Sequence, residues 1–254
     1  TTGSWSTVNS MNTARKSLGG AGTATSAVAF GGNPSPNSAL TESWNGTNWS
    51  EVSDLNTARI LLGSAGASNT AALAFGGTSD PPNRAQTENW NGSSWTEVND
   101  LNQSRNSIGS AGVVATAALA FAGWEPGNTG KTESWNGTNW TEVNDINTAR
   151  YSLAGGGTYT SALASGGYTT AAQDLTESWN GTNWTEVNDL NANRRLLSGA
   201  GADNTNALAF GGYTSPGNFN NTETWNGSNW TEVNNLNTAR RNAGGLGNTN
   251  TACL

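Results

Sequence analysis

Glutamate and arginine recur at fixed places in this sequence, and together they could supply acid–base or ion-pair chemistry. Ten of the eighteen acidic residues belong to two repeated glutamate series, Glu42, Glu88, Glu133, Glu177 and Glu223 after threonine, and Glu51, Glu97, Glu142, Glu186 and Glu232 before valine. A glycosidase needs two carboxylates at one site in different environments. Because every unit repeats these acids identically, the sequence favours a structural role for them, either in pairs with the arginines or on solvent faces.

An internal repeat with steps of 44 to 46 residues positions these groups. It is marked by a longer tryptophan series, by a shorter one five residues earlier, and by arginines ten residues after the longer one. The longer series is Trp5, Trp49, Trp95, Trp140, Trp184 and Trp230; the shorter is Trp44, Trp90, Trp135, Trp179 and Trp225; the arginines are Arg15, Arg59, Arg105, Arg150, Arg194 and Arg240. Repeats of this length without long 3.6-period apolar stripes are typical of four-stranded β-propeller blades.

Four strands can be placed in each unit. A small-residue stretch, "SLGGAG" at 17–22, predicts the innermost strand, where blades crowd around the axis. The apolar run "SAVAFGG" at 26–32 predicts a buried second strand. "TESW" and "WTEV" predict the third and fourth strands, joined by an Asn-Gly turn. The paired tryptophans flank that turn, close enough for contact with each other or with the next blade.

The unit count predicts one domain over residues 1–254, with an all-β propeller fold. Residues 1–10 supply an isolated fourth strand, followed by full units at about 15–58, 59–104, 105–149, 150–193 and 194–239, and a partial unit at 240–254 holding "RNAGGLG" and "TACL". Six arginines favour six blades, the last lacking a third strand and closed by the N-terminal strand. Five blades with loose ends, or pairing of the chain with another copy of itself, are the alternatives. Thr1 begins inside a repeat with no initiator Met, so we expect part of a longer protein.

The repeat resembles the kelch family of β-propellers. The likeness rests on glycine pairs such as Gly31–Gly32, on Glu42 and Trp44 in the third strand, on the following Trp and on the arginine that opens the next unit. The third copy departs from it, with "FAGW" at 121–124. "WNGTNWTEV…LNTAR" is also similar to repeat segments of marine phage structural proteins, which implies a possible association with virions.

Composition excludes several classes of function. A net charge of −7 with 11 Lys and Arg argues against nucleic acid, and no apolar run approaches the length of a membrane span, so we expect a soluble protein. The single cysteine, Cys253, cannot form an internal disulfide, and it takes the place of a small buried-strand residue. The kelch resemblance implies a comparison with copper enzymes of that fold. Their copper site uses histidine, and this chain has none, so it cannot build that site. We expect no metal and no cofactor.

The loops between second and third strands differ in every unit, unlike the frame that carries them. They occupy 33–40, 78–86, 124–131, 168–175 and 213–221. Trp124, Tyr168, Tyr213 and Phe219 give three of them aromatic side chains, which suit sugar rings or protein contacts. The kelch topology implies that Trp124, Tyr168 and Tyr213 line one rim. Drift in unconstrained loops explains the variation equally well.

Three function classes stay open. The sequence favours a non-enzymatic recognition or structural module that presents its loops to a partner protein or a glycan. A purely architectural ring without a ligand is the alternative. A glycosidase-like enzyme comes third, because the acids outside the repeat, Asp80, Glu125, Asp174 and Asp203, are scattered over different units. The oligomeric state and the ligand are not indicated.

Overall fold

Five four-stranded antiparallel sheets form the described part of the protein. The computed structural model describes residues 4–79, 81–247, 249 and 253. In each blade the strands pair in chain order. The strands are Gly19–Thr23, Ser26–Phe30, Thr41–Trp44 and Trp49–Val52 in blade 1; Gly63–Ser68, Ala71–Phe75, Thr87–Trp90 and Trp95–Val98 in blade 2; Gly109–Val114, Ala117–Phe121, Thr132–Trp135 and Trp140–Val143 in blade 3; Ala154–Thr158, Ser161–Ser165, Thr176–Trp179 and Trp184–Val187 in blade 4; Ser198–Asp203, Asn206–Phe210, Thr222–Trp225 and Trp230–Val233 in blade 5. Two short hairpins, Trp124–Glu125 with Gly127–Asn128 and Tyr213–Thr214 with Gly217–Asn218, extend loops.

The blade count is five, so the preferred count of six is wrong and the alternative of five is correct. Residues 4–10 form no strand, and neither do the described residues 240–247 of the partial unit. The prediction of a strand over 1–10 is therefore wrong for residues 4–10. Residues 1–3 lie outside the described residues. Of "TACL", the structure describes Cys253 alone. The physical reason is that no third strand lies between the N-terminal segment and the partial unit. Without it, the described residues of neither segment can join a sheet ladder.

Six sectors nevertheless surround the axis, and the five blades fill five of them. The second residue after each repeat arginine has a positive φ of 54 to 58°. Each of these residues bonds through its backbone to the next, and the six hydrogen bonds of 2.8 to 3.0 Å close a ring. Its members are Ser17, Leu61, Ser107, Ser152, Leu196 and Asn242. The sixth sector, which we define by residues 4–8, 240–247, 249 and 253, thus has its place at the axis, and its described residues form no complete sheet.

The innermost strands are rich in glycine because neighbouring blades touch there through their backbones. A Cβ atom on Gly155 would lie 2.2 Å from the carbonyl oxygen of Ser110, and one on Gly199 would lie 2.5 Å from that of Gly155. Any side chain would force the blades apart at these positions. The predicted crowding at the axis is confirmed.

The apolar core lies between blades as well as inside them. Tryptophans of the longer series pack on a phenylalanine of the preceding blade, as in Phe30 with Trp95 at 4.8 Å and Phe75 with Trp140 at 4.8 Å between ring centroids. They also contact the shorter series across the hairpin, at 5.4 Å in all five blades. Both contacts considered from the sequence therefore occur, and Trp95, Trp140 and Trp184 each join two blades.

Glycine supports two turns in each unit, as the sequence predicts. Gly46 of the Asn-Gly hairpin has a φ of +92°, and Gly31 after the second strand has a φ of +67°. In the third unit Ala122 takes the place of the first paired glycine and still adopts a φ of 59°. The "FAGW" departure thus leaves the backbone path unchanged. Within the described residues, no helix is long and apolar enough to cross a membrane.

Candidate functional site

A buried arginine–glutamate pair fastens each of the five blades. In blade 4 a guanidinium nitrogen of Arg150 lies 2.5 Å from Glu177 Oε1, and the arginine also donates to the carbonyl oxygens of Gly166 and Ala164. The other carboxylate oxygen of Glu177 accepts the backbone N–H of Asn147 at 2.7 Å. The pair therefore ties the connection between blades to the second and third strands. The same pairs in the other blades are Arg15–Glu42, Arg59–Glu88, Arg105–Glu133 and Arg194–Glu223.

Burial governs the electrostatics of these pairs. The five paired arginine side chains are 0% exposed, and removal from water lowers the pKa of each guanidinium, while the paired glutamate raises it. A buried charge is tolerable only when it is paired and hydrogen-bonded. The first glutamate series is therefore committed to the frame.

The second glutamate series lies on the outer strand in contact with solvent. Its five members, Glu51, Glu97, Glu142, Glu186 and Glu232, are all exposed. Glu142 forms a surface ion pair with Lys131 at 3.4 Å, and Glu232 accepts a hydrogen bond from Asn221 at 2.8 Å. The two structural roles considered from the sequence are thus divided between the two series.

The described acids outside the repeat do not come together. Glu125 accepts a hydrogen bond from Gln103 in the third unit. Asp203 accepts from the backbone and hydroxyl of Thr205 in the turn between the first two strands of blade 5. The backbone of Asp174 bonds to Leu190 in the fourth unit, and Asp80 lies outside the described residues. No group of three or more Cys, Asp or Glu able to hold a metal ion occurs among the residues described.

The variable loops and the connections that carry the repeat arginines meet on one face of the ring. In blade 4, Tyr151 directly follows the repeat arginine, and Tyr168 is the first residue of the variable loop. Their backbones bond in both directions, at 3.1 and 2.8 Å. Two reciprocal backbone hydrogen bonds of the same kind join Asn106 with Trp124, and two more join Arg195 with Tyr213. This pairing lines up residues from two separate parts of the sequence around the axis.

Six side chains on this face form a continuous series of ring and guanidinium contacts. Trp124 lies 5.2 Å from Tyr151, and Tyr151 lies 5.5 Å from Tyr168, measured between ring centroids. The Arg195 guanidinium carbon then lies 4.3 Å from the Tyr168 ring and 5.6 Å from the Tyr213 ring. Arg241 completes the series at 4.3 Å from Tyr213. We call these six residues the aromatic rim; they run from blade 3 to the sixth sector.

Positive charge is concentrated at one end of the rim in an otherwise acidic protein. The residues that follow the six repeat arginines are Lys16, Ile60, Asn106, Tyr151, Arg195 and Arg241. Three of these six are cations, and they occupy three successive sectors: the fifth, the sixth and the first. An arginine stacked on an aromatic ring keeps its edge N–H groups free for carboxylates or hydroxyls. The rim therefore combines flat apolar surfaces with cationic hydrogen-bond donors.

The predicted site residues meet only in part. Trp124, Tyr168 and Tyr213 share one rim as expected, and Trp124 is 39% exposed. Phe219 is half-buried, and its backbone accepts from Arg240 instead. No ring contact joins Phe219 to the other three among the described residues, so Phe219 stays a separate candidate for ligand binding.

Sequence reasoning missed Tyr151, Arg195 and Arg241. The signal that could have found them is the change of residue type directly after each repeat arginine, in contrast with the nearly constant "LNTAR" before it. A comparison with protein-family models and with curated protein sequences finds no match to this chain.

Proposed function

We propose that this protein is a non-catalytic recognition module that binds an acidic glycan through the aromatic rim. The observation that carries the proposal is the unbroken contact series from Trp124 to Arg241. Aromatic faces accept the apolar C–H faces of sugar rings, and arginine pairs with carboxylates in a two-pronged geometry. The aromatic rim combines four aromatic rings with two arginines, which suits a chain of sugars bearing carboxylates.

The absence of catalysis is part of this proposal. Ten glutamates serve the frame or the outer surface, and the described acids outside the repeat are separated over several units. Acid-catalysed hydrolysis of a glycosidic bond needs two carboxyl groups within about 5 to 10 Å of each other at one bond. Release of reducing ends from any bound polysaccharide would overturn this part of the proposal.

The binding experiment uses an array of bacterial envelope polysaccharides that includes uronic-acid polymers and neutral glucans. The test variant is Trp124→Ala combined with Tyr213→Ala. Alanine keeps the backbone bonds of both positions, so the ring should fold. The matched control is Tyr159→Ala, which removes an aromatic side chain that is 44% exposed in the turn of residues 158–161, on the opposite face.

We expect binding to uronic-acid polymers, a loss of at least about tenfold in the rim variant, and no change in the control. A tenfold loss corresponds to about 1.4 kcal/mol, within the range of two aromatic contacts. Absence of binding across the array, or equal binding by the rim variant, would contradict the proposal.

A purely architectural ring is the second candidate, favoured by the identical arginine–glutamate pair in all five blades. In that case the rim side chains only pack on one another. Replacement of loop 124–131 by loop 33–40, which has the same length and no aromatic residue, would then leave both stability and any assembly of the protein unchanged.

We also propose that the blades are of the kelch type and that the protein derives from a virion. The glycine pairs and the glutamate–tryptophan third strand support the first proposal, and the phage-like phrase "WNGTNWTEV" supports the second. Detection of this peptide in purified marine virions would strengthen the second proposal. Its confinement to a cellular fraction would count against it.

A further inference from the structure

Guanidinium groups already lie over two of the four rings in the aromatic rim. The guanidinium carbon of Arg195 lies over the Tyr168 ring, 4.3 Å from its centroid, and that of Arg241 lies over the Tyr213 ring at the same distance. Arg195 also lies 5.6 Å from the Tyr213 centroid, so it contacts both tyrosines. A sugar ring cannot stack on a tyrosine face that a guanidinium already covers. This end of the aromatic rim therefore offers N–H groups in place of flat apolar faces.

The other end of the aromatic rim has an open aromatic surface. Trp124 is 39% exposed and contacts the Tyr151 ring edge to face, with 5.2 Å between centroids and an interplanar angle of 63°. Among the described residues, no guanidinium lies over the Trp124 ring. An exposed indole of this kind suits the apolar C–H face of a sugar ring. Trp124 is therefore the stacking platform of the aromatic rim.

Arg195 is a cation that aromatic rings hold in position. Its backbone forms two hydrogen bonds with Tyr213, at 3.0 and 2.8 Å, and its guanidinium lies against the Tyr168 and Tyr213 rings. Within the described residues this guanidinium donates no hydrogen bond and forms no ion pair. A stacked arginine loses little side-chain freedom when its N–H groups meet a carboxylate. Arg195 is therefore suited to bind an anion.

The two ends of the aromatic rim also differ in charge. Glu125 directly follows Trp124 in the same short hairpin, and its carboxylate accepts a hydrogen bond from Gln103. Glu125 forms no ion pair with a cation in the part of the chain that the structure describes. A carboxylated sugar on Trp124 would therefore meet a like charge, and like charges placed together reject a ligand. The aromatic rim has a negative end at Glu125 and a positive end at Arg195.

Two tyrosines separate Trp124 from Arg195. Tyr151 contacts Trp124 and Tyr168, and Tyr168 contacts Arg195, at distances of 4.3 to 5.5 Å. Neither tyrosine hydroxyl has a hydrogen-bond partner among the described residues, so both can bond to sugar hydroxyls. A ligand reaches both ends only if it contains more than one sugar ring.

We infer that the aromatic rim selects a mixed glycan, with a neutral sugar on Trp124 and the carboxylate of a neighbouring sugar at Arg195. This inference rests on the proposed function, because it assigns the parts of an acidic glycan to the parts of the same site. A polymer with a carboxylate on every sugar would place one of them near Glu125. A neutral glucan would leave Arg195 without an anion. The substrate class is therefore a glycan that combines neutral sugars with uronic acids.

The probes are synthetic tetrasaccharides of equal length and linkage. The first alternates glucose with glucuronic acid, the second contains glucuronic acid alone, and the third contains glucose alone. Isothermal titration calorimetry with the full chain gives the affinity of each probe. Simple attraction by positive charge would favour the second probe, which carries the most carboxylates, so the comparison separates charge from arrangement.

The test variants are Glu125→Gln and Arg195→Gln. Glutamine at position 125 keeps an oxygen that accepts from Gln103, so the hairpin should be retained. The control is Lys131→Gln, which removes a cation from the surface pair with Glu142 and leaves the aromatic rim unchanged. The comparison of probes on the unchanged protein does not depend on the folding of any variant.

We expect the alternating probe to bind at least about tenfold more tightly than either of the other two, because it alone gains the charge-assisted bond without the like charge. Glu125→Gln should raise the affinity for the all-glucuronic probe by about threefold or more and so narrow the preference. Arg195→Gln should weaken both acidic probes by about tenfold and leave the glucose probe unchanged. Lys131→Gln should change none of these affinities.

Equal or tighter binding of the all-glucuronic probe would overturn the inference and leave the proposed function intact. An unchanged preference in Glu125→Gln would also overturn it, because the negative end would then play no part in selection. Tightest binding of the glucose probe, or no saturable binding of any probe, would overturn both the inference and the proposed function.

Discussion

Arg59 and Glu88 form an ion pair of 2.9 Å between Nη2 and Oε1 with side chains that are 0% and 1% exposed. This contact joins the connection that enters blade 2 to the third strand of the same blade. Because the pair recurs five times at equivalent places, the ring is held by a chain of buried charges as well as by tryptophan packing. The sixth member of the arginine series, Arg240, is exposed and forms no such pair within the described residues.

Removal of a paired arginine should cost far more stability than removal of the unpaired one. Arg59→Gln leaves the carboxylate of Glu88 buried without its partner, which costs about 3–5 kcal/mol. Arg240→Gln changes an exposed side chain and should shift the free energy of unfolding by about 0.5 kcal/mol or less. Urea unfolding of both variants measures the difference. Equal losses would show that Arg240 is paired in solution.

The tryptophans of the longer series should differ in the same way. Trp95→Phe removes a buried indole N–H bond to Thr41 and leaves part of the site unfilled, for a loss of about 1–3 kcal/mol. Trp49→Phe removes an indole without that bond and should cost less. The two thermal midpoints provide the comparison. A larger loss for Trp49→Phe would contradict the description of the sixth sector as incomplete.

Cys253 should make stability sensitive to alkaline pH. Burial raises the pKa of its thiol from 9.0 to about 11, because the fold disfavours the thiolate. Between these values the unfolded chain binds fewer protons than the folded one, so the free energy of unfolding falls as pH rises from about 9 to about 11. The expected contribution is about 1–3 kcal/mol. Cys253→Ala should remove this part of the slope, measured by urea unfolding at pH 8, 9.5 and 10.5, and an unchanged slope would contradict it.

Glycan binding at the rim should weaken with salt. Arg195 and Arg241 stack on tyrosine rings and would face a carboxylated ligand as partly exposed cations. Such contacts are screened as the Debye length shortens from about 10 Å at 0.1 M to about 3 Å at 1 M salt. We expect the dissociation constant of a uronic-acid oligosaccharide to rise with salt for the unchanged protein and to rise less for Arg195→Gln with Arg241→Gln. If the dissociation constant rose equally with salt in both proteins, Arg195 and Arg241 would not contact the ligand.

The strands could be predicted because each carries a local signal. "SAVAF" is apolar on both faces and becomes the buried strand Ser26–Phe30, and the glycines after it have the positive φ that ends the strand. The blade count could not be predicted in the same way. Six arginines indicate six sectors, which the backbone ring confirms, but a sheet also needs a third strand between the segments around Trp5 and Cys253.

The rim could be predicted only for residues in visibly variable loops. Trp124 and Tyr213 stand out because their loops differ between units. Tyr151 and Arg195 lie in the connections between blades, whose sequence is otherwise nearly constant. Only their backbone pairing with Tyr168 and Tyr213 brings them beside the variable loops. That pairing depends on tertiary register, which no local pattern records.

Fluorine NMR of the protein labelled with 5-fluorotryptophan tests the central claim most directly. Eleven of the twelve tryptophans belong to the repeat, and Trp124 alone lies on the rim. Trp124→Phe assigns its resonance. Addition of a uronic-acid oligosaccharide should shift the Trp124 resonance in a saturable manner and leave the repeat tryptophans unchanged. A Trp124 resonance that stays in place at saturating oligosaccharide, or shifts confined to repeat tryptophans, would contradict binding at the rim.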